Sequence, residues 1–555
     1  MKRRLSLFLV AILLFSSSLI GCQSGNNSTS TPTNGTTPAV ATGTIIYRND
    51  AAGTKLTDNT PENGFPVTAV PDTLTVALAS EPGGLHIMQF SDGAAAIVTC
   101  AFGEGLLMRD NETFEYIPML AKSWERIDDL TVRFYLRDDV IFHNGERMTA
   151  DDVLFMFERG LELSARRWIY TPFDLEKCKI VDEFTFDAVT KTPFAPLFAY
   201  LSDPGDCVMS RKAVESTTLE MYARNANGAA GPYKFVEWIA GDRIVLERHD
   251  EYYGEKPEFK YIVFRIITDA TARTLAFEAG DVDIVMNPLI SSVETLRKNP
   301  NCDVWSVDDF ITTNIVLNND NPILGNKTVR EAMAYALDIP SIANIAFGGT
   351  GRVSYSIFPP QIPGNHDPDP VNNAALLEYN PEKAKQLLEE AGYPDGFSLN
   401  VYSNENQNRI DISEMLQNYW GAVGINCEVK IMEFAALIEL YGNGEHEAMV
   451  NGYVPSGTDG DFLYSIITSS NGYSSNYNAI NNPEVDELML RARGLMDNDE
   501  RIAIYSRVID ILREEVYYIP IHNSETFYGV RSTLTNFEAN PQQQPHLWSV
   551  RSKAQ

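Results

Sequence analysis

The chain has 555 residues, of which 44% are apolar and 21% are charged, and its formal net charge is −31. This composition is that of an ordinary globular protein, and the length exceeds what one hydrophobic core normally serves, so two or three domains are expected. So acidic a chain argues against a nucleic acid partner, because phosphate groups are bound by clustered lysines and arginines.

The N-terminus has the pattern of a bacterial export signal. Residues 2–4 are basic, and the apolar run over residues 5–20 is too short and wrongly flanked for a stable membrane span. The run ends in Gly21-Cys22, which resembles the lipobox, where the signal is cut before a cysteine that is then diacylated. A simple signal peptide that ends in Gly-Cys is the alternative. We predict that residues 1–21 are removed and that Cys22 carries two acyl chains, which anchor a protein stably.

The next segment has the composition of a linker. Residues 23–44 are almost entirely Ser, Thr, Asn, Gly, Pro and Ala, which cannot bury enough apolar surface to fold. We therefore predict a flexible tether over residues 22–70.

Five cysteines follow the tether, and no pair of them has CxxC spacing. Cys178 and Cys207 are candidates for one disulfide. Five buried free thiols agree equally well with the spacing, and an export signal does not by itself prove a disulfide.

The first predicted strand covers residues 72–79, where apolar side chains occupy every second position. A loop with Gly83 and Gly84 follows, and glycine allows a ligand to approach the backbone closely. A generic turn is the alternative interpretation of this loop. Residues 95–108 are then predicted to form a helix.

The most distinctive stretch is a strand, a turn and a helix over residues 119–160. Residues 132–136 alternate between apolar and polar side chains, as in a half-buried strand. Asn144-Gly145 is suited to a tight turn, and Thr149 with Asp152 three residues later predicts a capped helix start. Gly160 is the predicted helix end.

A second block, GPYKFVEW at residues 231–238, is predicted to form a hairpin. Its turn is expected at residues 240–242, and alternating Ile244 and Leu246 mark the return strand. The block continues to YYGEKP at residues 252–257.

The sequences of these blocks resemble those of a known protein family. LAKSWE, a strand, and then LRDDV, FHNGE and TADDV, followed by GPYKFVEW and YYGEKP, resemble the extracellular solute-binding proteins of family 5, which serve peptide, nickel and related ABC importers. The resemblance continues along nearly the whole mature chain. It implies a mixed α/β fold of the type II periplasmic-binding-protein class, with two lobes, a hinge of crossover strands and an extra subdomain in lobe I.

The resemblance also implies domain boundaries. Lobe I is expected over residues 71–113, 225–312 and 521–555. The extra subdomain is expected over residues 114–224, and lobe II over residues 313–520.

Two segments are expected to cross between the lobes, and their hinge residues are Thr312, Thr313, Asn314, Ile519, Pro520 and Ile521. Within lobe II, the order strand, helix, strand over residues 397–402, 410–423 and 425–432 predicts parallel pairing with a right-handed crossover.

In the resembling family, two loops contact the ligand. The first is the glycine loop after strand one, where His86-Ile87 replaces the usual Asp-Pro. The second corresponds to residues 451–463, where peptide-binding members have a tryptophan, and then an aspartate that pairs with the peptide amine. By alignment, Tyr453 takes the tryptophan position and Ser456 the aspartate position. The expected ligand-binding residues are Gly83, Gly84, Leu85, Tyr453, Val454, Ser456, Asp459 and Asp461.

The substitution at Ser456 leaves two alternatives. Either Asp459 replaces the missing carboxylate, or the ligand carries no free amine. An acidic surface loop without a ligand role is a third interpretation of this segment.

Motifs for covalent chemistry are absent from the sequence. It contains no GxSxG, no GxxxxGK[ST] and no HExxH, and its 7 histidines are scattered singly. We therefore expect no enzymatic activity, no cofactor and no metal.

The resemblance implies a lipid-anchored substrate-binding protein that captures a dipeptide or oligopeptide between its lobes and delivers it to an ABC permease and its ATPase. The protein is expected to be exported, monomeric and held at the outer face of the cell membrane, or in the periplasm if there are two membranes. One alternative keeps this mechanism for a nickel chelate, haem or an oligosaccharide. Others are an exported hydrolase, or an adhesin or signalling receptor that lost transport.

Overall fold

The computed structural model of the protein describes residues 45–50, 53–58, 72–86, 88–89, 92–110, 115–163, 167–203, 205–453 and 459–553. The predicted signal, Cys22 and much of the predicted tether lie outside these residues, as do Val454 and Ser456. Among the described residues, no helix is long and apolar enough to cross a bilayer.

The strands are numbered in chain order. They are β1 (Ile45–Asp50), β2 (Gly53–Asp58), β3 (Thr73–Leu78), β4 (Leu107–Arg109), β5 (Tyr116–Pro118), β6 (Ala121–Arg126), β7 (Thr131–Leu136), β8 (Lys179–Asp182), β9 (Thr185–Val189), β10 (Tyr233–Ile239), β11 (Arg243–Arg248), β12 (Tyr261–Ile266), β13 (Ile284–Met286), β14 (Cys302–Leu317), β15 (Arg352–Val353), β16 (Phe397–Asn404), β17 (Ile425–Met432), β18 (Ala448–Tyr453), β19 (Tyr518–Arg531), β20 (Leu534–Thr535) and β21 (Arg551–Ser552).

The helices are numbered in the same way. They are α1 (Gly93–Thr99), α2 (Ala150–Glu162), α3 (Arg167–Tyr170), α4 (Leu197–Leu201), α5 (Arg211–Glu215), α6 (Leu219–Tyr222), α7 (Ala270–Ala279), α8 (Val293–Arg297), α9 (Lys327–Tyr335), α10 (Ile339–Phe347), α11 (Ala374–Leu377), α12 (Pro381–Glu390), α13 (Gln407–Gly421), α14 (Phe434–Gly442), α15 (Phe462–Ile467), α16 (Pro483–Gly494) and α17 (Asn498–Glu514).

One large sheet runs through both lobes in the order β17-β16-β18-β14-β19-β13-β3-β12-β11-β10-β1-β2, with β15 paired to β19. Strands β14 and β19 are 16 and 14 residues long and pair antiparallel from one lobe into the other. They are the two crossover strands, and both extend further into lobe I than the sequence predicts. A separate sheet in the order β6-β7-β9-β8 contains β7, which is the strand predicted over residues 132–136.

The crossover pair is interrupted twice. Asp308 pairs with Glu525 but the next pair is Thr312 with Asn523, so β14 has two extra residues there. A second shift follows Thr313, where Pro520 stands on the opposite strand. Proline has no N–H to donate to the ladder, which accounts for this second break.

The predicted hinge residues lie on the lobe II side of the first interruption and around the second, and their hinge role stays a prediction.

The buried Asp309 carboxylate holds the backbone at the first interruption. It accepts hydrogen bonds from the Ile311 N–H at 2.8 Å, the Thr526 hydroxyl at 2.9 Å and the Gln543 amide at 3.1 Å. Burial raises the pKa of Asp309 to about 6.

The hydrophobic cores follow the strand alternation. Ile315 and Leu317 face one lobe II core, whereas Val316 between them faces another, so helices cover both sides of the lobe II sheet. In lobe I, Val76 of the main sheet and Phe134 of the separate sheet belong to one continuous core. The described core residues of the expected subdomain, residues 114–224, are therefore continuous with the core of lobe I.

The strand, turn and helix over residues 119–160 form as predicted, with one difference at the end of the helix. Thr149 and Asp152 form a reciprocal capping box at the start of α2. Gly160 does not end the helix, which continues to Glu162. Instead, Gly160 lets the ring of Tyr170 pack against the helix backbone, where a Cβ atom would collide with it.

Other predictions are corrected by the structure. Residues 45–50 and 53–58 are strands and not tether, because they form a hairpin that pairs with the exposed edge of β10. The helix predicted over residues 95–108 ends at Thr99, and its last residues form β4.

The cysteine alternatives are also resolved for the described residues. Cys100, Cys178, Cys207, Cys302 and Cys427 are all buried, and none of these five is part of a disulfide. Cys178 and Cys207 therefore do not form a disulfide in this structure.

Candidate functional site

A cavity of about 90 Å³, open to solvent on one side, lies in lobe I beside the crossover strand. Its wall combines the segment after α1, strand β4, the end of α4, Phe310 of β14 and the C-terminal segment over residues 540–548. The lining mixes apolar and aromatic side chains with amides and charged groups. A concave site that combines apolar and aromatic walls with polar groups in fixed positions is typical of small-molecule binding.

The C-terminal segment is held against the crossover strand at this cavity. The Phe310 N–H donates to the Pro541 carbonyl at 3.3 Å, and the Gln543 amide donates to Asp309. The Cys100 thiol donates to the Gln544 side-chain oxygen at 3.0 Å. The cavity wall is therefore connected to the interrupted part of β14.

Glu104 is the buried carboxylate of this wall. The hydroxyls of Tyr252 and Tyr253 donate to its two oxygens, the second at 2.8 Å. Burial raises the pKa of Glu104 from 4.5 to about 7, although both hydroxyls oppose the shift. Tyr252 and Tyr253 belong to the YYGEKP block, so this block supports the cavity wall.

The β4-β5 hairpin of lobe I faces the acidic loop of lobe II. Arg109 of β4 lines the cavity and is close enough to Asp459 for a Coulombic attraction. Tyr116 of β5 interacts electrostatically with Asp459 and with Arg501. Burial, reinforced by Asp459, raises the pKa of Tyr116 to about 12. The two lobes therefore meet at this edge of the cavity.

Asp459 is already paired within lobe II. Its Oδ2 lies 2.5 Å from the Arg501 guanidinium, and the Tyr505 hydroxyl donates to its Oδ1 at 3.0 Å. The Arg501 side chain is only 7% exposed. A ligand amine at Asp459 would have to share this carboxylate with Arg501.

Asp461 is fully buried and also paired. The Tyr200 hydroxyl of α4 donates to its Oδ2 at 2.5 Å, and Arg493 Nε lies 3.1 Å from its Oδ1. Burial raises the pKa of Asp461 to about 6, against the opposing effect of Arg493. Tyr200 belongs to the lobe I core, so this contact joins the lobes.

The glycine loop of lobe I is packed onto its own lobe. The Gly83 N–H donates to Asp92 at 3.2 Å, and the buried Leu85 N–H donates to the Ala223 carbonyl at 2.6 Å. Gly84 is buried and Gly83 is exposed. Among these three, the Gly83 backbone is therefore the most accessible to a ligand.

Tyr453 is buried at the end of β18, where it pairs with Thr312 of the crossover strand. Tyr453, Asp459 and Asp461 thus come from lobe II, and Gly83, Gly84 and Leu85 from lobe I. Val454 and Ser456 lie outside the described residues. The ligand role of all eight stays a prediction.

The cavity contains residues that the sequence did not single out as a site. Glu104, Arg109, Phe310 and residues 540–548 are far apart along the chain and meet only through the fold. One signal was available, because the polar run Gln542 to Gln544 is unusual in a C-terminal segment that otherwise packs on a core.

Replacing Asp459 with alanine should lower the free energy of unfolding by about 3 kcal/mol, because the buried Arg501 would lose its partner. Urea unfolding measures the change. The control is Asp303→Ala, which removes an ion pair with Lys553 whose two side chains are each 49% exposed. The free energy of unfolding of this control should fall by less than about 1 kcal/mol. Equal losses for the two variants would contradict the pairing of Asp459 with Arg501.

Glu104→Gln should change how stability depends on pH. The pKa of Glu104 is higher in the folded state, so its contribution is complete below pH 4.5 and is lost as the pH rises through about 7. Over this pH range the free energy of unfolding of the wild type should therefore fall by about 3 kcal/mol relative to that of Glu104→Gln. Urea unfolding at several pH values measures it, with exposed Glu176→Gln as the control. Parallel curves for wild type and Glu104→Gln would contradict the buried acid.

Comparisons with known proteins agree with this architecture. The heme-binding protein A of Haemophilus influenzae is 28% identical over 456 residues, which cover 76% of this chain and 82% of that protein. The dipeptide-binding protein of Escherichia coli is 25% identical over 468 residues, covering 79% and 86% of the two chains.

A solved structure has the same fold. The periplasmic binding protein DppA from Helicobacter pylori, in complex with the peptide STSA, has a TM-score of 0.75 at 24% identity and covers 87% of this chain and 98% of its own. The predicted class, a type II periplasmic-binding-protein fold, is confirmed. The family model for bacterial extracellular solute-binding proteins, family 5 Middle, matches residues 115–475, more than half of the chain. The chain therefore belongs to family 5 of the bacterial extracellular solute-binding proteins.

Proposed function

We propose that the protein is the substrate-binding receptor of an ABC importer, and that it encloses a short peptide between its lobes. The cavity at the crossover strand, where β4 of lobe I faces Asp459 of lobe II, is the observation that carries this proposal. The dipeptide-binding relative supports a peptide ligand. The receptor performs no covalent step, since its family binds substrates and releases them unchanged.

The mechanism is closure about the crossover pair. A ligand shifts the lobes toward the closed state only by its extra contacts with that state. The β14 interruption over residues 309–311 and the predicted hinge residues provide the place where the pair can bend. The closed form then delivers its ligand to the permease, whose ATPase drives import.

Export and anchoring complete the proposal. Residues 1–21 direct export, Cys22 is acylated, and residues from 22 to the first strand serve as the tether. The folded body, divided into lobe I (71–113, 225–312 and 521–555), the subdomain (114–224) and lobe II (313–520), then works as a monomer at the outer face of the membrane.

A second candidate keeps the mechanism but changes the ligand. Asp459 is paired with Arg501 and Asp461 with Arg493, so both acidic groups of the loop are already compensated. Together with Ser456, this arrangement favours a ligand without a free amine, such as a chelate, haem or an oligosaccharide. A relative named for haem agrees with that alternative.

Native mass spectrometry of the gently purified full chain, followed by denaturation and identification of the released ligand, distinguishes the candidates. We expect a mixture of short peptides, because main-chain hydrogen bonds tolerate many side chains. The same protein after unfolding, dialysis and refolding is the control and should carry no ligand. A single non-peptide species would contradict the peptide assignment and support the second candidate.

A further inference from the structure

A second contact between the lobes lies on α4, next to the cavity. Ala199 and Ser202 of this segment line the cavity, whereas Tyr200 between them donates its hydroxyl to Asp461 of lobe II at 2.5 Å. Just before α4, the Ala195 N–H donates to the Arg493 carbonyl of lobe II at 2.8 Å. One short segment of lobe I thus contacts both the cavity and the opposite lobe.

The lobe II residues of this contact are held together by interactions within lobe II. Arg493 Nε lies 3.1 Å from the Asp461 carboxylate, and its guanidinium lies 3.9 Å from the centroid of the Tyr464 ring. The opposite lobe adds Phe194, whose ring centroid is 5.0 Å from the same guanidinium. Arginine stacks favourably on aromatic faces, so Phe194 completes a cage around Arg493.

These residues belong to different hydrophobic cores. Phe194 and Leu197 pack in the lobe I core, whereas Leu463 and Met489 pack in a lobe II core. Opening the cleft would therefore leave both cores intact. It would separate the Tyr200 hydrogen bond, the Phe194 ring contact and the Ala195 backbone bond.

We propose that Phe194, Tyr200, Asp461 and Arg493 form an interlobe clasp that holds the closed state. The clasp thereby sets the fraction of closed receptor, and the apparent Kd of a ligand rises as that fraction falls. This inference rests on the proposed function only in requiring that the two lobes open and close.

The clasp should also make closure depend on pH. In the closed state Asp461 faces Arg493 on α16, Arg501 on α17, Asp459, and Tyr200 from lobe I. Burial raises the pKa of Asp461 from 3.8 to about 6, and opening returns the carboxyl to water. The closed state thus keeps its proton to higher pH, so closure is favoured as the pH falls through about 6.

Small-angle X-ray scattering of the ligand-free full chain tests the clasp directly. Tyr200→Phe should increase the radius of gyration, because it removes one hydrogen bond to a buried carboxylate and leaves the fold in place. The control is Tyr170→Phe, which removes a hydroxyl from a ring packed on Phe157 within lobe I. This control should scatter like the wild type.

Binding provides the second readout, with tri-alanine as the probe. Tyr200→Phe should raise its Kd by about tenfold. Asp461→Asn should abolish the change in scattering between pH 5 and pH 8. Should Tyr200→Phe fail to fold, Arg493→Lys, which keeps the charge but loses the stacked plane, is expected to open the lobes in the same way.

Scattering of Tyr200→Phe and Arg493→Lys indistinguishable from wild type would overturn the clasp. Unchanged pH dependence in Asp461→Asn would overturn the role of Asp461. If tri-alanine binds no variant, the peptide proposal is weakened while the scattering comparison still decides the clasp.

Discussion

The antiparallel pairing of β14 with β19 is the constraint on which the rest of the structure depends. Because both strands run through both lobes, each lobe builds its sheet outward from the same pair. Two extra residues in β14 and Pro520 in β19 interrupt the ladder between the lobes. Asp309 holds the backbone at the first interruption in one conformation by accepting three hydrogen bonds. The cavity lies beside this point, so a bend there would change the distance between its walls and lobe II.

Electrostatics determine what the lobes present to each other. The chain carries a formal charge of −31, yet the acidic groups at the lobe contact are compensated by arginines. Asp459 pairs with Arg501, and Asp461 with Arg493. Removing one partner of a buried ion pair is strongly destabilising, so under the proposed function these pairs would restrict which ligand groups the loop can bind. Under the proposed function the same pairs would connect ligand capture with closure, because Tyr200 of α4 donates its hydroxyl to Asp461.

The local elements were largely predictable from the sequence, whereas the site was not. The alternation over residues 132–136, the Thr149 capping box and the hairpin at Gly241 depend on neighbours along the chain, and all three form. The glycine at this turn has a φ of 73°, a value that most residues avoid. The strand at residues 45–50 pairs with the adjacent β2 and with the distant β10, and it was missed because the tether predicted from the composition of residues 23–44 was extended to residue 70. The Asp459 pairing was missed because Arg501 of α17 lies 42 positions further along the chain and meets Asp459 only through the fold.

Hydrogen–deuterium exchange tests most directly whether the two lobes enclose the ligand. The exchange is measured after the co-purified ligand has been removed and again after it has been returned. Slower exchange is predicted in β4 and residues 540–548 of lobe I and, in the same experiment, in α15 of lobe II. Strand β8, whose four residues are all exposed, should exchange equally in both states. Protection confined to one lobe, or none at all, would contradict closure around the ligand.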